Sequence, residues 1–178
     1  MIHVKNAYLT SIFWNKQINT ASTGCFGGHG AYSTMQDYII FLGSLLANDG
    51  KLLRPESVDE LFSPQLTAEQ AKSLKDYFNS AMGAFFIGEF FMDKYKHNWS
   101  FGGALFVQAY EDGRRKAGTV AWGGVANTFW SLDREAGLAL SFGTQVIPPG
   151  DGFCREVVSI VEKAVFEMAG AALPRTSL

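Results

Sequence analysis

Val120-Ala121-Trp122-Gly123-Gly124-Val125-Ala126-Asn127-Thr128-Phe129-Trp130-Ser131-Leu132-Asp133-Arg134-Glu135-Ala136-Gly137-Leu138-Ala139-Leu140-Ser141-Phe142 is the stretch whose reading decides the fold. It reads as two strands joined by a tight turn at residues 133–137, where the turn-forming residues gather. Gly123 and Gly124 are expected inside the first strand. Glycine weakens a strand interior, so a pair there signals a close approach to the backbone. Trp122 beside them makes a flat wall. A bare strand next to an aromatic wall suits an acyl group; a β-bulge with a packed tryptophan accounts for the same residues.

Working outward, residues near 81–91, 103–110 and 117–122 read as further strands, rich in aromatic and β-branched side chains. Leu138, Leu140 and Phe142 alternate with Ala139, Ser141 and Gly143, giving one bulky face and one small face on which a helix can pack closely. That helix is expected at 152–169, with an apolar stripe of Val157, Ile160, Val161, Ala164, Val165 and Met168. Upstream, Ser33 is the expected N-cap of a helix carrying Tyr38, Phe41, Leu42 and Leu45, with Gln36 reaching back to the cap. Asn48-Asp49-Gly50 ends it, the glycine near the left-handed cap position. Pro55 opens a short helix with Val58, Leu61 and Phe62. Thr67 and Gln70 form a second capping box for a short polar helix or loop reaching Tyr77. Residues 7–14 are a further candidate strand. The sum is an α+β chain: an antiparallel sheet flanked by helices.

The length of 178 residues allows one domain with a sizeable core, and 47% hydrophobic with 14% aromatic residues excludes disorder. Fifteen phenylalanines and four tryptophans can fill a core, line an apolar ligand pocket, or form a face for another segment. A net charge of −2 gives no footprint for nucleic acid. The one basic cluster, Arg114-Arg115-Lys116, is expected in a solvated hairpin turn. No apolar run is long enough to span a bilayer. Cys25 and Cys154 make neither a disulfide framework nor a metal spacing, so free thiols in a reducing, cytoplasmic setting are expected. The three histidines are too scattered for zinc. No cofactor is expected.

Trp122-Gly123-Gly124 resembles the third motif of serine β-lactamase-related esterases and acyltransferases, which lines their active-site strand. Two further blocks agree. Gly24-Cys25-Phe26-Gly27-Gly28-His29-Gly30-Ala31-Tyr32-Ser33-Thr34 resembles the family's Gly-Gly-x-Gly-x-x-Ser loop, and Asp49-Gly50-Lys51-Leu52-Leu53-Arg54-Pro55-Glu56-Ser57-Val58 follows as it does there. The similarity is strongest to the fungal branch that attaches the side chain of lovastatin-type polyketides. It covers a family-like region, 24–169, after an atypical N-terminal segment, 1–23, within a single domain of residues 1–178. It implies the C-terminal part of a β-lactamase/transpeptidase-like fold.

The resemblance implies an oxyanion hole shared between the nucleophile and the third-motif strand, where the backbone N–H of Val125 is the matching donor. A ladder hydrogen bond in an ordinary sheet is the alternative for that N–H. Trp122, Gly123, Gly124, His29 and Tyr32 are the implied substrate-binding residues, and His29 is equally explained as a surface or hydrogen-bonding residue. The family's nucleophile is the Ser of Ser-x-x-Lys, and no serine here has Lys three residues on. The only Tyr-x-Asn, Tyr77-Phe78-Asn79, lies downstream of the Gly-rich loop rather than before it, and reads as coincidence. Three functions stay open: a segment of an acyltransferase or esterase acting on secondary metabolites, completed by an N-terminal part; a repurposed binder of a small acyl-bearing or apolar ligand; and a partner of a full-length relative or of itself.

Overall fold

The computed structural model describes residues 2–5, 8–11, 32–83 and 96–172. Five strands form one antiparallel sheet in the order β3-β4-β5-β6-β7: β3 (His97–Trp99), β4 (Ala104–Phe106), β5 (Val120–Gly123), β6 (Phe129–Asp133) and β7 (Leu138–Phe142). A second sheet has the order β2-β1-β8, from β1 (Ile2–Lys5), β2 (Tyr8–Ser11) and β8 (Val146–Ile147). There β1 pairs antiparallel with β2 but parallel with β8. Four helices complete the described chain: α1 (Met35–Ala47), α2 (Pro55–Leu61), α3 (Ala68–Phe78) and α4 (Gly152–Ala172). The α+β class holds.

Residues 120–142 make three strands, not two. The β6–β7 hairpin turns at 133–137 as the sequence indicates: Asp133 Oδ1 accepts from Ala136 N at 2.8 Å and Gly137 has φ +67°. A second hairpin precedes it. β5 ends at Gly123, and residues 125–127 form its three-residue loop: Asn127 N donates to Gly124 O, Gly124 N donates to Thr128 O, and Asn127 adopts φ +55°. This is a type I turn followed by a left-handed residue, a common hairpin connection. Gly124 therefore stands at a turn rather than inside a strand. Asn, which tolerates positive φ, was the missed turn signal.

Helix ends follow local chemistry. Thr34, not Ser33, caps α1: its Oγ1 accepts from Asp37 N and donates to the Asp37 carboxylate. At the other end Asn48 takes the left-handed cap position with φ +48°, two residues before Gly50, which has φ +73°. Pro55 opens α2, and Thr67 and Gln70 form the full capping box of α3. Residues 81–83 are helical, so the strand expected over 81–91 fails where it is described; the rest of that range lies outside the described residues.

Cross-strand register sorts the sheet faces. Trp122 pairs with Trp130 and Val120 with Leu132, so these four share a face. Leu42 and Leu45 of α1 and Val58 of α2 pack there against Leu132 and Trp130. The other face carries Ala121, Phe129 and Phe106, packed with Val158 of α4. The edge of β3 is covered by the α2–α3 loop: Gln65 N donates to Trp99 O, and Asn98 exchanges two hydrogen bonds with the Leu66 backbone. Among the described residues β7 pairs only with β6.

Two expectations reverse on the α4 side. The helix buries Cys154, Val158 and Glu162, while Ile160, Val161 and Met168 of the expected stripe are 61%, 39% and 64% exposed. The i, i+4, i+8 row that faces the sheet contains a glutamate, which apolar periodicity passes over. That glutamate also overturns the solvated reading of the basic cluster. Arg115 is buried, with Nε 2.7 Å from Glu162 Oε1, and its guanidinium lies over the Phe106, Tyr110 and Phe129 rings.

Candidate active site

The end of β5 and its hairpin loop form one rim of a hollow of about 510 Å³. Trp122, Gly123, Gly124 and Val125 line it from the sheet, Trp99 from the neighbouring edge, and Leu74, Tyr77 and Phe78 from α3. The capping box fixes the start of α3, and burial of Phe78 anchors its end. Trp122 stands edge-on to Trp99, centroids 4.7 Å apart, and 6.5 Å from Phe78. The walls are thus rigid aromatic surfaces, as small-molecule sites commonly have.

The glycine pair has a different cause from the one the sequence suggested. A Cβ on Gly123 would stand 2.7 Å from the Thr128 carbonyl oxygen, and one on Gly124 would stand 2.6 Å from Thr128 Oγ1. The group approaching the backbone belongs to the partner strand of the hairpin. Both glycines still leave open backbone at the hollow.

The Val125 N–H donates to no described residue, so it forms no ladder bond with the described strands. Of the hollow's lining residues Tyr77 alone is titratable. Among the described residues no serine, histidine, lysine or carboxylate lines it, so this wall can bind an apolar group and offer an N–H but itself carries no activated nucleophile. The sequence reading set Tyr77 aside with its Tyr-x-Asn match; its position next to Phe78 at the end of α3 brings it here.

Of the other expected site residues, Tyr32 is 72% exposed in the segment leading to α1 and does not line the hollow. His29 and Cys25 lie outside the described residues, as does most of the Gly-rich block. His97 is in the core, edge-on to Phe106 at 4.8 Å. Cys154 is a buried free thiol, and burial, then Asp151, pushes its pKa up to about 11.

A second hollow of about 460 Å³ lies between α1, α2 and the strands, near Leu42, Leu61, Val120 and Trp130. No charged side chain lines it. Burial raises the pKa of the Tyr38 hydroxyl at its wall above the ordinary value. Among the described residues no cluster of potential metal ligands occurs, and no helix is long and apolar enough to cross a membrane.

Fold and sequence together define the class: the chain is similar to part of a set of fungal esterases and acyltransferases. It is 36% identical over 137 residues to lovastatin esterase of Penicillium rubens, covering 76% of this chain and 34% of that protein. It is 32% identical over 144 residues to monacolin J acid methylbutanoyltransferase of Aspergillus terreus, covering 80% and 34%. A mutant of simvastatin synthase from Aspergillus terreus superposes with a TM-score of 0.85 at 26% identity, over 97% of this chain and 43% of that one. The unliganded enzyme gives 0.80 at 26% identity. No protein-family model matches. The chain spans about a third of the length of the curated relatives it matches.

Proposed function

We propose that this chain supplies the acyl-binding wall and one oxyanion donor of a serine-type acyl-transfer or ester-cleaving site for secondary metabolites. It does so as a C-terminal part completed by a segment bearing the nucleophile. The supporting observation is the Val125 N–H, unengaged among the described residues, at the rim of an aromatic hollow that no described nucleophile lines. In such a site a serine oxygen attacks the acyl carbonyl carbon, its proton passing to a neighbouring base. The carbonyl oxygen takes up the negative charge. Val125 N–H stabilises that oxygen, and Trp122, Trp99 and Phe78 exclude water from the acyl group. One such donor is worth about 10²–10³ in rate. The relatives' names, an esterase of lovastatin and a methylbutanoyl transferase, support short branched acyl groups as the substrate class. The thiols of Cys25 and Cys154 suit a reducing, cytoplasmic setting.

The test is labelling with a fluorophosphonate and turnover of p-nitrophenyl butyrate. The chain alone is expected to give neither. Mixed with the N-terminal two thirds of lovastatin esterase it is expected to give both. A saturable rate from the chain alone, lost on replacing one of its own serines, overturns this reading. A second reading, a binder without acyl chemistry, is favoured by the lack of a nucleophile in the hollow. It requires saturable quenching of tryptophan fluorescence by butyrate esters, with no turnover in the mixture.

A further inference from the structure

Asn127 is 1% exposed and sits at the left-handed position of the hairpin loop that carries Val125. Glycine fills that conformation at least as easily, so the conformation alone does not call for this side chain. The amide is fully used. Its Nδ2 donates to Val146 O at 2.9 Å and to Pro148 O at 2.7 Å, and its Oδ1 accepts from Asp151 N at 2.9 Å. Asp151 in turn caps α4, its Oδ1 accepting from Cys154 N at 2.9 Å. One side chain therefore ties the loop at the end of β5 to β8 and to the start of the last helix.

We propose that Asn127 is a positioning residue for the Val125 N–H. Backbone bonds hold the loop at its base, Gly124 N donating to Thr128 O, and close its turn, Asn127 N donating to Gly124 O. Val125 is 54% exposed, without a hydrogen bond of its own among the described residues. Among the described residues the Asn127 side chain is the only hydrogen-bonded link from this loop to β8 and the start of α4, so it fixes the loop's orientation against them. A donor contributes to charge stabilisation only when its aim is set beforehand. This deepens the functional reading above and rests on it for the use of the N–H, but the restraint itself is a separate property of the chain.

The experiment is nuclear magnetic resonance on the full chain and on three variants, N127G, N127D and D151A. Backbone order at Val125 and Ala126 is read first. The wild type is expected to be rigid, with an order parameter of about 0.85, and N127G to fall below about 0.6. N127D keeps the acceptor and the turn preference but loses both donors, and should fall between. D151A removes the α4 cap and should lower Tm while leaving order at Val125 in place. Butylphosphonate, an anion with an acyl-like tail, is then titrated against the Val125 amide shift. Its affinity is expected to weaken at least fivefold in N127G and to stay within twofold in D151A. Unchanged order at Val125 in N127G overturns the proposal, as does an equal loss in D151A. Absence of any Val125 shift in the wild type counts instead against the oxyanion reading, and leaves the order measurement to decide the role of Asn127.

Discussion

Arg115 Nε and Glu162 Oε1 meet at 2.7 Å with side chains 3% and 0% exposed, fastening the β4–β5 connection to the middle of α4. Arg114 adds a second contact to the same carboxylate at 3.3 Å and donates to Ser159 Oγ at 2.7 Å. Removing one member leaves a buried charge uncompensated, which costs about 3–5 kcal/mol. Glu162→Ala is expected to lose that much in urea unfolding, and Arg115→Met with Glu162→Leu to recover most of it. A loss below about 1 kcal/mol for Glu162→Ala would mean water reaches the pair.

The two glycines of the β5 hairpin should differ in cost. At Gly123 a methyl meets backbone oxygen, which cannot step aside; at Gly124 it meets the Thr128 hydroxyl, which can rotate. Gly123→Ala is expected to cost about 1–3 kcal/mol by overpacking, and Gly124→Ala clearly less. Thermal unfolding of both variants gives the order, and the reverse order would refute the hairpin geometry.

Cys154 sets an alkaline limit. Its folded pKa of about 11 lies above the unfolded value near 9.0. Between these values the unfolded chain has released the proton and the folded chain has kept it. Stability is therefore intact below about pH 9 and falls as pH rises towards 11. Cys154→Ser should flatten that fall in urea midpoints taken across pH 8–11. Iodoacetamide at pH 8 should label Cys154 only on unfolding.

The outward face of α4 should make the chain associate. Ile160 and Met168 lie on it, with Phe153 68% exposed at its start, and β7 offers a free edge beside it among the described residues. Open strand edges and contiguous apolar surface both favour pairing. Sedimentation at micromolar concentration is expected to show a species larger than the monomer. Ile160→Lys with Met168→Lys should reduce it without lowering Tm. A clean wild-type monomer would mean this face is not sticky.

Legibility tracked how local each cause was. The capping box at Thr67, Pro55 at a helix start and the 133–137 turn are decided within a few residues, and the sequence shows them. The left-handed role of Asn48 is hidden beside Gly50, which also suits a cap, and that of Asn127 because Gly123 and Gly124 read as strand interior, so no turn is expected there. The face of α4 was misread because its partner, Arg115, comes from a distant loop, and only the folded chain shows that Glu162 points inward. In the site, the Trp122–Val125 wall could be read from one strand. Tyr77 and Leu74 could not, since α3 reaches the hollow through the packing of Phe78.

The parallel pairing of Ile2 and His3 with Val146 and Ile147 joins strands from opposite ends of the chain. The hairpins of the five-stranded sheet close over a few residues each, whereas this pairing spans residues 2–147. Contacts of such separation form late, after local ones have reduced the loop entropy. The expected order of assembly is β5, β6 and β7 first and β1 onto β8 last. On a ribosome the β5 hairpin loop would emerge and turn before the segment that Asn127 grips had been synthesised, so its final tether is added only as the last helix arrives.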